Sequence, residues 1–558
     1  MKNSSISIIH NGKFPFANDP NSILAWCPKM NLIFISMNKT SIWCYRIDGE
    51  RIYSINNRSV IKSIAFFDNY FCLSGTDHLI KIYDSNDGKL VKTLGGCKFL
   101  NIQFINWVNT DHKLEDDLIM SLPKIYTMSN TLNYLVINDS YSIGLYFNKM
   151  LNIKCPISYQ ITQQLSNNLF QQIYLDNKNN LISVNINTSS KKLYVKSILI
   201  ICHIIEYIEV MENTVKQLDE ELKPFYVLFD RYLANLNEEY KGDLTQNLTD
   251  LLLTNIIPEY TKDFWVNQFG ERGYKKMSKS LETVFENCQK KIFNYLISPI
   301  ERIILLLNNL IGISKWNNVL GLEIVDLSLI LRDSQTLLKS FYQFIWSLKD
   351  EKVKISEFIG WWKTIVDMLN DQDFNKCYST SNLIEYINSD LLRSKNLNYY
   401  RYSLDLIIPA NYDEGPLFYE IELLKTSFDR IPDQVDTHHE SIITVEFLRN
   451  INLSNDTSLK ISQWEDKTVI TYIDESNNLI LSTPEQDFAK IPNVIAYEHR
   501  SKDLIALTKE HLLVVDTSSS IPINLPTLSF EPKKVRSNNS FVCLVDEMNS
   551  NYVILKVE

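Results

Sequence analysis

Absences narrow this chain before any motif is read. It has no basic excess: 56 Lys and Arg against 66 Asp and Glu leave a formal net charge of −10. Neither a nucleic-acid surface nor a polybasic membrane patch is indicated. The longest apolar windows, Ile198 to Ile205 and Ile303 to Ile313, are broken by Cys202-His203 and Asn308-Asn309, and both fall short of the ~20 residues a spanning helix needs. The opening Met1-Lys2-Asn3-Ser4-Ser5 lacks a basic stretch followed by an apolar one, so no secretory signal is expected. Nine cysteines, odd in number and without a Cys-x-x-Cys pair, fit buried thiols in a reducing compartment. These features predict a soluble intracellular chain, resident in nucleus and cytoplasm.

Patterns that carry chemistry are missing too. His438-His439 and Cys202-His203 are adjacent pairs, whose side chains diverge on a helix or strand, and no further His or Cys lies at finger-like spacing. They read as an exposed loop pair and a core thiol, so neither metal nor cofactor is expected. The segment Gly270 to Ser278 bears glycine and lysine but is not G-x-x-x-x-G-K-[ST], and no strand precedes it. It reads as a break between helices with basic residues opening the second. No G-x-S-x-G occurs, and acidic pairs such as Asp116-Asp117 sit in solvated contexts. Trp361-Trp362 suggests one core indole and one partly exposed, the latter able to anchor a partner. No enzyme is expected.

What is present is a repeat. Residues 22–49 and 62–88 copy each other at a spacing near 40: Ile23-Leu24-Ala25-Trp26 with Ile64-Ala65-Phe66, Ile42-Trp43-Cys44-Tyr45 with Ile80-Lys81-Ile82-Tyr83, and turns at Asp48-Gly49 and Asp87-Gly88. A period near 40 with short strands between turns marks β-propeller blades of the WD type. Further blade-like strands follow to about residue 195, including a hairpin turning through Asp176 to Asn180. From Ile201 the pattern changes to apolar residues at alternating steps of three and four, through Met211, Leu218, Leu222 and Phe229 to Leu236. That is the seam of a long helix packed on others. Asp243 or Thr245 is placed to open the next helix. Ser298-Pro299-Ile300-Glu301 reads either as a capped helix start or as a proline inside one longer helix. More helices are expected at 322–348, 354–370 and 381–394. Strands resume near Tyr400, with hairpins at 468–481, 504–515 and 541–555.

The expected organisation is therefore β plus α: a WD40-type propeller of about seven blades, interrupted by an all-α bundle. Its parts are residues 1–196 (N-terminal blades), 197–395 (helical bundle) and 396–558 (blades completing the ring). The segment Ser5 to His10 is expected to close the ring beside Tyr552 to Val557, because closure removes exposed edges.

Landmarks in this order resemble the subunit 4 family of the anaphase-promoting complex (cyclosome). Trp26 and Pro28 sit in a W-x-P-K pattern after the first strand. Gly270, Arg272, Gly273, Lys275 and Lys276 match a G-x-R-G-x-K-K segment. Trp316 and Gly321 are similar to its next landmarks, and Phe341, Phe344 and Trp346 fall on an aromatic helix. The resemblance spans about residues 20–365. It implies a non-catalytic platform in a cullin–RING ubiquitin ligase that drives mitotic progression and exit. The implied partners are the large subunit 1, subunit 5, the cullin–RING module and the tetratricopeptide-repeat arm, with no nucleic acid and no membrane. Two rivals are a substrate-recruiting WD40 receptor and a coat- or pore-type propeller scaffold. The receptor carries D-R-[FY]-I-P-x-R; Asp429-Arg430-Ile431-Pro432 lacks its aromatic and its final Arg and reads as a chance match.

Overall fold

The computed structural model describes residues 6–14, 19–94, 102–113, 131–139, 142–157, 159–164, 168–240, 242–372, 378–389, 391, 417–451, 459–464, 467–483, 487–500, 503–515, 520–538 and 540–557. Ser5, Asp116-Asp117 and Tyr400 lie outside them. Two compact units emerge: Met1–Leu199 with Val435–Glu558, and Ile200–Gln434.

The first unit is a propeller of seven four-stranded antiparallel sheets. Blades 1, 2 and 3 span residues 24–56, 61–94 and 102–156; blades 5 and 6 span 460–491 and 496–524. The other two are assembled from distant pieces. Blade 4 takes three strands from residues 161–186 and its fourth, Ile443–Asn450, from beyond the helical unit. Blade 7 takes three strands from residues 534–557 and its fourth, Ile6–Lys13, from the other end of the chain. Ile6 pairs with Val557 and Lys13 with Asn551. The expected ring closure is present.

Strands of a blade are half apolar on each face, so a blade is stable only between neighbours. Leu24, Trp26 and Ile35 of blade 1 pack on Cys543 and Ile554 of blade 7. Equivalent clusters join blades 1 and 2, 2 and 3, 4 and 5, 5 and 6, and 6 and 7. Turns rely on asparagine as much as glycine. In blades 4 and 5, Asp176 and Asp474 each accept backbone N–H groups two and four residues on, at 2.8–2.9 Å. The intervening Asn179 and Asn477 adopt φ of +61° and +58°. Asparagine tolerates that left-handed conformation better than most residues.

The second unit is helical. Its elements are α1 (Lys191–Glu239), α2 (Leu244–Thr254), α3 (Gly270–Ile292), α4 (Ser298–Trp316), α5 (Ile324–Leu369), α6 (Thr380–Ser389), α7 (Leu417–Phe428) and α8 (Arg430–Ile442), the first and last also reaching into the propeller unit. Asp243 caps α2, its carboxylate accepting from the Thr245 N–H. On α1 the seam residues Leu218, Leu222 and Phe229 are buried. The core is aromatic: the Trp362 ring stands edge-on to Phe264, Trp265 and Phe269 at centroid distances of 5.2–5.8 Å.

Several expectations need correction. The helices foreseen at 322–348 and 354–370 are one, α5. The charged run Lys349 to Lys352 contains no breaker, and its Glu351 is buried, accepting from the Tyr226 hydroxyl at 2.7 Å. Trp361 and Trp362 are both fully buried. No capping box forms at Ser298, since Ile297 is helical and makes no side-chain cap, and the alternative reading, a proline inside one longer helix, is the one present. A π-helical turn, Phe293–Ile297, carries the helix into Pro299, which cannot donate its own backbone bond. The helical run Glu259–Trp316 is consequently long and apolar enough by composition to cross a membrane, but Ile300, Ile303, Leu307 and Leu310 are buried within this unit. Finally, α7 and α8 occupy sequence assigned to blades, and the next described strand begins at Ile443.

Candidate functional site

The family-pattern residues fall in three places. Trp26 ends the first strand of blade 1 and is buried between blades 1 and 7. Pro28 follows in an exposed bend, closed by the Cys27 N–H donating to the Leu32 carbonyl at 3.0 Å. Trp26 therefore packs the ring seam and Pro28 shapes a hairpin.

The second place is the joint before α3. The preceding turn, Phe264–Phe269, is π-helical, and Gly270 leaves it with φ +48° and ψ −168°, a backbone region that essentially only glycine occupies. Gly273 is buried, and a Cβ there would lie 2.9 Å from Phe269 Cδ2 and 3.2 Å from the Tyr232 hydroxyl. Gly273 serves close packing, whereas Gly270, with nothing within 4 Å of an added Cβ, serves the backbone angle. Arg272, Lys275 and Lys276 are exposed, and Lys275 pairs with Glu271 at 2.7 Å, holding that carboxyl below its usual range. No strand feeds this turn, so it lacks the strand–loop–helix geometry of a phosphate cradle.

The third is the α4–α5 connection. Asn318 clamps Leu322, its Oδ1 accepting from the Leu322 N–H at 2.8 Å and its Nδ2 donating to the carbonyl at 3.0 Å. Gly321, at φ +68°, makes the turn. Trp316 ends α4 with 81% of its surface exposed, and Trp346 on α5 is 67% exposed. Among the described residues these two, and not Trp361-Trp362, are the strongly exposed indoles.

The described thiols and two of the histidines are buried. Cys27, Cys44, Cys72, Cys155, Cys202, Cys288 and Cys543 are buried, and burial pushes the Cys44, Cys155, Cys288 and Cys543 thiols up to about 12. His438-His439 is no loop pair: it lies in α8, and His439 is buried, stacked on Tyr194 with Nε2 2.5 Å from its hydroxyl. Burial pushes His439 and His203 down to about 4. Among the described residues no group of three His, Cys, Asp or Glu is placed to hold a metal ion.

Sequence reasoning missed one cluster. Lys460, Glu498 and Arg536 sit on the first strands of blades 5, 6 and 7, which pack side by side. Glu498 Oε2 lies 2.5 Å from Lys460 Nζ and 3.0 Å from Arg536, whose Nε donates to the Leu24 carbonyl of blade 1 at 2.9 Å. Burial raises the Glu498 carboxyl, but the two cations outweigh it and hold the group below its ordinary value. The available signal was a charged residue in each of three innermost strands. This network ties four blades together.

The geometry thus offers rigid surfaces. Comparison with known proteins agrees. Residues 180–372 match the family model of anaphase-promoting complex, cyclosome, subunit 4, and residues 24–110 match that of the anaphase-promoting complex subunit 4 WD40 domain. The anaphase-promoting complex subunit 4 of Schizosaccharomyces pombe is 21% identical over 475 residues, 70% of this chain and 65% of that protein. The match thus spans a little under two thirds of the relative's length. Among solved structures, BBS1N in complex with ARL6DN aligns at 11% identity over 26% of this chain and 43% of the other, with a TM-score of 0.20. The computationally designed Ika8 protein aligns at 13% over 29% and 45%, with a TM-score of 0.21. Neither likeness carries an argument. With two models of one family matching blades and helices in order, the chain belongs to the anaphase-promoting complex (cyclosome) subunit 4 family.

Proposed function

We propose that this chain is a non-catalytic platform subunit of an anaphase-promoting complex, a cullin–RING ubiquitin ligase controlling mitotic progression and exit, and that it works in nucleus and cytoplasm. The observation that carries this reading is the family match across both units in chain order. A seven-bladed ring and an aromatic-cored bundle are two rigid bodies of different shape, which suits holding several proteins at once. The partners proposed are the large subunit 1, subunit 5, the cullin–RING module and the tetratricopeptide-repeat arm.

The receptor alternative loses its one motif. Arg430, Ile431 and Pro432 open α8, and Ile431 is fully buried, so the fragment is not free to dock elsewhere. Affinity purification of the full chain from cells should recover cullin-like, RING and tetratricopeptide-repeat subunits in fixed stoichiometry. Recovery of membrane-coat or nuclear-pore components would favour the coat-type scaffold, and recovery of transient substrates alone would favour the receptor.

A further inference from the structure

The outer face of α4 and α5 is built like half of a helix–helix interface. On α5 the solvent-facing residues recur at alternating steps of four and three: Val325, Leu329, Arg332, Thr336, Lys339, Gln343 and Trp346. Any solvated helix face has that spacing, with the opposite face of α5 (Leu327, Ile330, Leu337, Phe344) supplying the core; what sets this row apart is that Val325, Leu329 and Trp346 on it are apolar and exposed. A second exposed stripe runs along α4 through Leu305, Gly312 and Trp316. The two stripes lie side by side, since Tyr342 of α5 donates to Glu301 of α4 at 3.3 Å. Three of these residues are large and well exposed: Trp316 at 81%, Val325 at 69% and Trp346 at 67%. Surfaces of this kind, rimmed by polar groups, mark binding sites, and tryptophan is over-represented among residues that dominate binding energy.

Charge and shape say what would cover it. On the row Val325 to Trp346 both charges are cations, Arg332 and Lys339, with Lys349 exposed beside Trp346, while Asp350, the next residue of that row, is exposed and acidic. Arg332 lies 3.8 Å from the half-exposed Asp333, and Lys349 stands 5.4 Å from the Trp346 ring centroid. At Gly312 a Cβ would meet nothing within 4 Å, so a partner backbone could approach closely. Val325 to Trp346 is six helical turns, roughly 32 Å at 1.5 Å per residue. We infer that this face receives one amphipathic helix of about 20 residues from a partner subunit. The helix has apolar residues at three-four spacing and Asp or Glu opposite Arg332 and Lys339. The inference rests on the platform reading, which supplies the partner, and adds its chemistry.

The test uses the full chain in the assembly purified from cells, with a photo-crosslinking amino acid at Gln343. The expected product is one adduct with an acidic amphipathic segment of a single partner subunit. The double variant R332E/K339E should reduce recovery of that subunit by about tenfold without shifting the melting point of the free chain, because both side chains are solvated. Adducts within this chain, with a second copy of it, or with a basic or extended segment would overturn the inference. So would no adduct at all, or unchanged recovery of the crosslinked subunit. If the unmodified chain purifies without ligase subunits, the platform reading itself falls instead, which the same purification reveals before any crosslink is read.

Discussion

At Gly270 a methyl group has room, yet the backbone cannot accept one. Nothing lies within 4 Å of an added Cβ, but φ is +48° with ψ −168°. Gly270→Ala should therefore lose about 1–3 kcal/mol through backbone strain alone. Gly312, with the same open surroundings but inside α4, should do the reverse: Gly312→Ala is expected to gain about 1 kcal/mol from helix propensity. Chemical denaturation of the two variants checks the pair; equal effects would mean that crowding, not dihedral angle, governs both. The buried histidines make a second residue-scale prediction. His203 and His439 are held neutral by burial, with pKa values lowered to about 4, while the unfolded chain protonates its imidazoles near 6.5. As pH falls, the unfolded state takes up protons first, so stability is whole above about pH 6.5 and drains away towards pH 4. Each group withdraws up to about 3 kcal/mol across that window. His439→Gln should flatten the decline in urea-unfolding free energy between about pH 6.5 and 4.5. An unchanged slope would show that His439 is already protonated in the fold.

Among the elements, α1 shows how far the sequence could be read. Its three-four seam predicted burial of Leu218, Leu222 and Phe229, and the structure places all three in the bundle core. Leu222→Ala should cost about 2–5 kcal/mol, the range for a truncated core leucine; a loss below 1 kcal/mol by chemical denaturation would mean that the surroundings collapse onto the gap. The blade repeat was legible for the same reason, since periodicity reports which face is buried; the closing strand was legible because a closed ring leaves no free edge. Element ends were less so. A charged run looks like a boundary, but Glu351 is buried because Tyr226, far away in sequence, donates to it. Pro299 resembles a helix start, and only the π turn before it shows why the helix runs through. Residues 417–442, expected as blade strands, are instead α7 and α8, and the strand that follows them, Ile443–Asn450, completes blade 4. As for the candidate site, the glycines and Trp316 were visible as a pattern. Their roles were not, since exposure is set by neighbours from other helices. The Lys460–Glu498–Arg536 network was unreadable for a similar reason: its members meet only when three blades close on one axis.

At the scale of the whole molecule, ring closure depends on strands far apart in the chain. Blade 4 is completed only after residues 187–442 have been traversed, and blade 7 only when Ile6–Lys13 pairs with the last strand. Both closures remove a free edge that would otherwise recruit other strands. The N-terminal closure also brings Phe14, just past the strand, onto the Tyr552 ring at 4.0 Å and edge-on to Tyr45 of blade 1 at 5.3 Å. The closing strand thus helps bind blade 7 to blade 1, besides finishing a sheet. Deleting residues 1–13 leaves Asn551–Val557 as an unpaired edge and frees Phe14. Losing one ladder of seven residue pairs and part of that aromatic contact should remove several kcal/mol, and the propeller transition should fall by roughly 10 °C. Hydrogen exchange should localise the effect. Amides of Asn551–Val557 and Phe541–Val545 should lose protection first, because local opening starts where contacts are fewest. Those of α3 and α5 should keep theirs, since their core is made within the helical unit. An unchanged melt would show that three strands suffice for blade 7. A parallel loss of protection in α3 and α5 would show instead that the two units unfold as one.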